Sequence, residues 1–245
     1  MALVFAHRGA SMAERENTVA AFRAAARMGA DGVELDVRRT ADGLAAVVHD
    51  AALADGRPVA GLRLDEVPPE VPRLEEALDA CAGMVVNLEV KNAPWDADFD
   101  PDEVLAELVV RTLHERGGRD RVLVSSFGPA AVARVRALDP ALPTALLTAV
   151  LSDEEVDALV ADVVAAGHVA LHPHHLTVTP HLVERCADAG LAVNTWTVDE
   201  PDRIVTLAEL GVDAVVSNVP DVALRALGRS GAAGGQNNGP PSVAS

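Results

Sequence analysis

Gly32-Val33-Glu34-Leu35-Asp36-Val37 and Val85-Val86-Asn87-Leu88-Glu89-Val90-Lys91 read as apolar strands, yet they carry carboxylates where a buried strand would hold only Val, Ile or Leu. Side chains alternate along a strand, so Glu34 and Asp36 share one face, and Asn87, Glu89 and Lys91 share one face of theirs. The opposite faces, with Val33, Leu35 and Val37 in one stretch and Leu88 and Val90 in the other, suit packing under helices. Carboxylates aimed into one space repel each other unless a cation lies among them. The two stretches therefore predict a metal site inside an α/β enzyme.

Outward from these stretches, short apolar strands alternate with amphipathic helices. Strands are expected at Ala2–Ala6, Gly32–Val37, Met84–Lys91, Arg121–Phe127, Pro143–Thr148, His168–His172, Leu191–Val198 and Val212–Ser217. Helices are expected at Thr18–Met28, Leu74–Cys81, Asp102–Arg116, Pro129–Leu138, Asp153–Ala165, Pro180–Ala189, Pro201–Leu210 and Pro220–Leu227. Proline near helix starts and glycine after helix ends punctuate the series. Arg27-Met28-Gly29-Ala30-Asp31-Gly32-Val33 is echoed by Glu209-Leu210-Gly211-Val212-Asp213-Ala214-Val215, a repeated helix-to-strand joint. This periodicity predicts an α/β fold of the (β/α)8 TIM-barrel type and favours it over a doubly wound open sheet.

Residues 38–71 break the alternation. Thr40-Ala41-Asp42-Gly43 signals a hairpin turn, and Leu44–Val48 is a short strand leading to His49-Asp50. A two-residue Asp42-Gly43 turn sets Asp36 opposite His49; a bulged three-residue loop shifts this pairing by one. The barrel is expected over residues 1–228. Residues 229–245, rich in Gly, Asn, Ser and Pro, read as a disordered tail.

Composition narrows the classes. The chain of 245 residues is 49% hydrophobic but only 2% aromatic, with no tyrosine, and can bury a full core from Ala, Val and Leu. A net charge of -17 argues against nucleic acid, which is gripped by cationic side chains. No apolar run is long enough to cross a membrane and no basic leader is visible, so a cytoplasmic location is expected. Cys81 and Cys186 fall in helix-like segments and are expected as buried thiols.

Barrel enzymes carry their chemistry at the C-terminal ends of the strands. Those ends hold His7-Arg8-Gly9, Glu34 and Asp36, Glu89 and Lys91, Ser125-Ser126-Phe127, His172-Pro173-His174-His175, Asn194-Thr195-Trp196 and Ser217-Asn218. Glu34, Asp36 and Glu89 are hard oxygen ligands and point to a divalent metal, Mg²⁺ or Ca²⁺. His7 and His49 are candidate general acid and base. Arg8 can clamp an anion. Lys91 is the chain's single lysine, and a compact ammonium two residues after a metal ligand suits a phosphoryl oxygen. Trp196 is a candidate substrate wall. Glu16-Asn17-Thr18 reads first as a helix cap, and His172, His174 and His175 as polar residues of the mouth.

The ordered set His7-Arg8-Gly9, Glu16-Asn17-Thr18, Gly29–Val37, Thr40-x-Asp42-Gly43, Val48-His49-Asp50, Leu88-Glu89-Val90-Lys91, Ser125-Ser126-Phe127 and Trp196-Thr197-Val198 resembles the glycerophosphodiester phosphodiesterases, from about Leu3 to Leu227. The resemblance implies a TIM barrel with a small insertion after the second strand. It implies hydrolysis of glycerophosphodiesters, as small-molecule substrates, to glycerol phosphate and an alcohol. It further implies metal ligation by Glu34, Asp36 and Glu89, acid–base roles for His7 and His49, and phosphate contacts from Arg8 and Lys91. The glycerol hydroxyl beside the phosphate then attacks phosphorus, giving a cyclic phosphate that water opens. The chain departs from the family pattern at Arg15, where Pro is usual, in a shortened segment after His49-Asp50, and at Ser217-Asn218, where Thr-Asp is commoner.

Two rival readings share the barrel: a phospholipase D-like enzyme acting on lysophospholipids, and a non-catalytic binder of phosphorylated ligands. Which histidine is acid and which is base stays open at the level of sequence, as does the oligomeric state.

Overall fold

Near-continuous Val and Leu runs, which an open sheet would bury between two layers of helices, are also buried on both faces when one helix layer covers a sheet that closes on itself. The computed structural model, which describes residues 1–149 and 151–229, has this arrangement. The strands are β1 (Leu3–His7), β2 (Gly32–Arg39), β3 (Ala45–Val47), β4 (Val85–Val90), β5 (Val122–Ser126), β6 (Thr144–Thr148), β7 (Ala170–Pro173), β8 (Ala192–Thr195) and β9 (Ala214–Ser217). Their order is β1-β9-β8-β7-β6-β5-β4-β2-β3, with β1 also paired to β2. All of these pairs are parallel except β2–β3, so the ring without β3 is a closed parallel barrel.

The helices are α1 (Val19–Met28), α2 (Leu74–Ala80), α3 (Val104–Arg116), α4 (Pro129–Leu138), α5 (Val156–Ala165), α6 (Pro180–Asp188), α7 (Pro201–Leu210) and α8 (Pro220–Ala226). Thr18 caps α1, accepting from the Ala21 amide, and Gly29 ends it in the left-handed conformation at φ 84°. The buried faces of the helices join the outward strand residues in two apolar clusters. One contains Phe22, Val33, Leu35, Val37, Leu88, Val90 and Leu113; the other contains Val4, Leu171, Leu182, Val215, Ile204 and Leu224. Cys81 and Cys186 are free, buried thiols in these layers.

Apolar residues plug the lower interior of the barrel: Phe5, Val85, Ala214 and Val216 in one group, Leu123, Ala145 and Ala170 in another. Phe5 fits because Gly32 stands opposite it; a Cβ on Gly32 would lie 2.7 Å from the Phe5 ring. The plug forces every inward polar side chain to the upper half of the barrel. The site is therefore confined to the C-terminal mouth.

The hairpin after β2 is real but differs in register from the two-residue-turn expectation. Val37 pairs with Val47 and Arg39 with Ala45, so Asp36 lies opposite Val48, one residue before His49. Ala41-Asp42-Gly43 form a three-residue loop, closed by the Thr40 amide donating to Leu44 O at 2.9 Å. The Asp42 carboxylate selects this loop, accepting from Thr40 Oγ1 and from the Leu64 amide of the insertion. β8 stops at Thr195, three residues short of the expected Val198. Arg229, the first residue assigned to the tail, packs on the barrel and grips Asp31 through both terminal nitrogens at 2.6 and 2.7 Å. The rest of the expected tail, from residue 230, lies outside the described residues.

Candidate active site

Register decides which carboxylates meet. β2 and β4 pair in parallel with Glu34 beside Asn87 and Asp36 beside Glu89. The inward faces of the two strands thus bring Glu34, Asp36 and Glu89 together, with one oxygen from each within 4.8 Å of the others. All three are buried. Glu34 Oε2 accepts from the Arg8 amide at 3.0 Å, while Glu34 Oε1 is buried with no donor among the described residues. Asn87 Oδ1, one register position away, is likewise buried without a donor. Hard, converging oxygens with unused lone pairs fit a divalent cation such as Mg²⁺ or Ca²⁺.

Electrostatics separates the three acids. Burial, then Asp36 and Glu89, push the Glu34 pKa well above the ordinary range, and burial and Asp36 raise Glu89 to about 7. Burial works against the Asp36 charge too, but Lys91, Arg8, His49 and Asn17 outweigh it and hold its pKa below the ordinary value. Lys91 Nζ lies 2.8 Å from Glu89 Oε1 and 3.6 Å from Asp36 Oδ1. Arg8 Nε lies 3.2 Å from Asp36, and its Nη1 is held by both oxygens of Glu16 at 3.0 and 3.1 Å. With all three buried carboxylates ionised, the two fixed cations leave a negative remainder. A divalent ion would turn it positive, the sign a phosphodiester requires.

The two histidines have different supports. His7 ends β1, and Arg8 (φ 55°) and Gly9 (φ 81°) turn the chain sharply after it. A Cβ on Gly9 would lie 2.7 Å from Ala21 Cβ, so glycine lets this turn sit against α1. His7 Nδ1 bonds Asn218 Oδ1 at 2.7 Å, and its Nε2 lies 3.9 Å from Glu34 Oε2. The amide orientation of Asn218 is dictated by Asp199, whose carboxylate accepts from Asn218 N and Nδ2, each at 2.8 Å. Ser11 Oγ also donates to Asn218 Oδ1. Only the amide oxygen can face His7, so Nδ1 carries the proton and Nε2 offers a lone pair. Burial and Arg8 lower the His7 pKa, which favours that neutral form. His49 bonds the Asp50 carboxylate through Nδ1 at 2.7 Å, and its carbonyl accepts from buried Arg38 Nε at 2.7 Å.

One cavity is lined by His7, Arg8, Glu34, His49, Glu89 and Lys91, and by Phe127, His172 and Trp196 across the mouth. His172 is fully buried; its Nε2 takes a bond from Asn194 Nδ2 at 2.9 Å, and burial lowers its pKa to about 3. Trp196 Nε1 donates to His172 O, fixing the indole. Phe127 and His174 meet this indole edge-to-face, with centroids 5.4 and 5.1 Å away.

The profile of the glycerophosphoryl diester phosphodiesterase family matches residues 7–222, which span every group above. The chain belongs to that family. Glycerophosphoryl diester phosphodiesterases are phosphoric diester hydrolases, and this chain is one. The glycerophosphodiester phosphodiesterase of Caldanaerobacter subterraneus subsp. tengcongensis is 28% identical over 256 residues, covering 94% of this chain and 99% of that protein. A phosphodiesterase of Oleispira antarctica, solved with its product sn-glycerol-3-phosphate, superposes with a TM-score of 0.84 at 26% identity, covering 92% and 96% of the two chains. A glycerophosphodiester phosphodiesterase of Parabacteroides distasonis superposes with a TM-score of 0.81 at 25% identity, covering 93% and 97%. The phosphodiesterase fold is thus matched over nearly the whole chain.

The eight residues singled out in the sequence, His7, Arg8, Glu34, Asp36, His49, Glu89, Lys91 and Trp196, gather at one mouth. Glu16-Asn17-Thr18 does more than cap. Thr18 alone caps α1; Glu16 holds Arg8, and Asn17 Nδ2 donates to Asp36 Oδ2 at 2.8 Å. Asn218 is visible at a strand end but without its role, and Asp199 and Arg38 escape a reading by residue type, because single Asp and Arg residues are abundant and their partners lie elsewhere in the sequence. Arg38 carried one signal: an arginine inside a strand has to be paired, and it is, to Asp96 and Asp98.

Proposed function

We propose that this phosphodiesterase hydrolyses glycerophosphodiesters to glycerol phosphate and an alcohol, with a divalent cation at Glu34, Asp36 and Glu89 and proton transfer by His7 and His49. The observation that carries this reading is the convergence of buried carboxylates, fixed cations and two differently supported histidines on one cavity. When bound, the cation supplies Lewis-acid stabilisation of charge on a phosphoryl oxygen. Arg8 and Lys91 add hydrogen bonds to the non-bridging oxygens in a site screened from water.

His7 Nε2, a lone-pair acceptor because Asn218 keeps the proton on Nδ1, takes the proton of the glycerol hydroxyl next to the phosphate. That oxygen attacks phosphorus, the bond to the alcohol oxygen breaks, and a cyclic glycerol phosphate forms. His49 donates the proton that the leaving alkoxide needs; the Asp50 carboxylate, 2.7 Å from its Nδ1, orients the ring. Water then opens the cyclic phosphate with the two histidines in exchanged roles.

The test is turnover of glycerophosphoethanolamine by the full chain after chelation, with Mg²⁺ or Ca²⁺ added back, followed by phosphorus NMR. Glycerol phosphate should appear only with metal, preceded by a cyclic phosphate signal. Binding without release would leave a phospho-ligand binder, and faster turnover of lysophosphatidylcholine would make the enzyme phospholipase D-like.

A further inference from the structure

We infer, resting on the diester-hydrolysing reading above, that Arg38 is a positioning residue for catalysis. It ties His49 to the acidic segment that follows β4, and so sets where the proton donor stands.

His49 needs such a tie. It lies beyond the end of β3, and the side chain of its partner Asp50 is 79% exposed. An exposed carboxylate is a weak anchor, because solvent screens it. The backbone is fixed from the inside instead. Val48 N donates to Asp36 O at 2.9 Å, and Arg38 Nε donates to His49 O at 2.7 Å.

Arg38 is held in turn by a third segment. Asp96-Ala97-Asp98-Phe99-Asp100 has the alternation of carboxylates found where a loop wraps a metal ion. Here two arginines of β2 answer it. Arg38 Nη1 donates to Asp98 Oδ1 and Nη2 to Asp96 Oδ1, the latter at 3.3 Å, while Arg39 Nη2 lies 3.7 Å from Asp100 Oδ2. The side chains of Arg38, Asp96 and Asp98 are 4, 15 and 9% exposed, so screening by solvent is slight. The acidic segment is itself rigid. The Ala93 amide donates to Asp96 Oδ2, and Asn92 exchanges bonds with the Asp100 carbonyl and amide, each at 2.8 Å. A continuous set of bonds thus runs from the end of β4 through Arg38 to His49.

Charge balance alone does not require this arrangement. A lysine would neutralise one of the buried carboxylates as well as an arginine does. What only the guanidinium supplies is a planar fork, with Nε fixed in direction relative to Nη1 and Nη2. The two Nη groups take the carboxylates, and Nε goes to the carbonyl of His49. That residue must keep its imidazole within hydrogen-bond reach of the leaving oxygen.

The experiment measures kcat and KM of the metal-loaded full chain in wild type, Arg38→Lys, His49→Ala and the double variant. One substrate is glycerophosphoethanolamine; the other is the p-nitrophenyl diester of glycerol phosphate, whose leaving group departs without a proton. Arg38→Lys should lower kcat for the ethanolamine diester about 10–100-fold with KM changed less than about twofold, the cost of a displaced catalytic group. The p-nitrophenyl diester should lose far less. In the His49→Ala background Arg38→Lys should cost no further activity, because it acts only through His49. Asp98→Asn keeps an oxygen for Nη1 without the charge; it should show the same pattern more weakly, and it replaces Arg38→Lys if circular dichroism shows that variant unfolded. Wild-type kcat in Arg38→Lys, or losses that multiply in the double variant, overturn the inference and leave Arg38 as a structural ion pair. So do equal losses of Arg38→Lys on the two diesters when His49→Ala is selective. If His49→Ala itself loses both diesters equally, the proton-donor role of His49 falls instead, and the double variant then decides the Arg38–His49 link on its own.

Discussion

The two sides of the barrel mouth are built on opposite principles. On the β2–β4 side, Glu34, Asp36, Glu89, Arg8 and Lys91 are ions buried against one another. On the β7–β8 side, His172, Asn194 and Trp196 are neutral groups joined by directed hydrogen bonds. A neutral network satisfies its own members and orients them. An ionic cluster with unequal charges does not, and Glu34 Oε1 and Asn87 Oδ1 remain without donors among the described residues. The difference teaches that the ionic side is built for a further partner, whereas His172, Asn194 and Trp196 already hold one another in place as a wall.

The comparison can be broken first at Asp36. Asp36→Ala removes the anion shared by Arg8, Lys91 and Asn17, and should lower unfolding free energy by about 3–5 kcal/mol, as loss of one partner from a buried ion pair does. Asn194→Ala on the neutral side should lower it by only about 1–3 kcal/mol. Urea denaturation of both variants measures the gap, and equal losses would erase the distinction.

Catalysis gives the next largest effect. His7→Ala and His49→Ala should each lower kcat at least ~10²-fold with circular dichroism unchanged. His172→Gln, across the mouth, should lower it far less; near-wild-type turnover in either of the first two would remove the acid–base assignment.

Metal linkage is smaller. Mg²⁺ or Ca²⁺ at about a hundred times its Kd should stabilise the wild type by about 2.7 kcal/mol, read as a rise in Tm. Glu34→Gln, which retains the shape and loses the charge, should abolish most of that rise.

The smallest effect at neutral pH belongs to the neutral side. The folded pKa of His172, about 3, lies below the ordinary 6.5, so only the unfolded chain takes up this proton on acidification. Its contribution to stability is complete above pH 6.5 and is lost progressively as pH falls towards 3. Wild type should therefore lose stability more steeply across that window than His172→Gln, as checked by urea midpoints at a series of pH values.

Much of this could be read along the chain. The strand–helix alternation yields the barrel because each element must bury a face of its own period. The period-two pattern places Glu34 with Asp36 and Glu89 with Lys91, since the pleat leaves no other choice. His7, Arg8 and Trp196 were visible as polar or aromatic groups at strand ends. The hairpin was visible too, but its register was not: the sum of paired positions depends on how many residues close the loop, and Asp42 settles that by bonding Leu64 in a different segment.

What the sequence alone determined, then, is everything set by local period and composition: the fold class, the faces of the strands, and a surplus of carboxylates at one mouth. Only the tertiary structure decided the pairings that cross the chain. Asn218, oriented by Asp199, assigns the His7 tautomer; Glu16 holds Arg8; Arg38 holds the His49 carbonyl; Trp95 meets Phe127. The Asn218–His7 and Trp95–Phe127 contacts join separate turns of the barrel, the Glu16 and Arg38 contacts lie within one loop and one hairpin, and no periodicity encodes any of them. The long-range ones exist because closing the sheet brings the ends of distant strands within contact, where a buried polar atom left alone is costly.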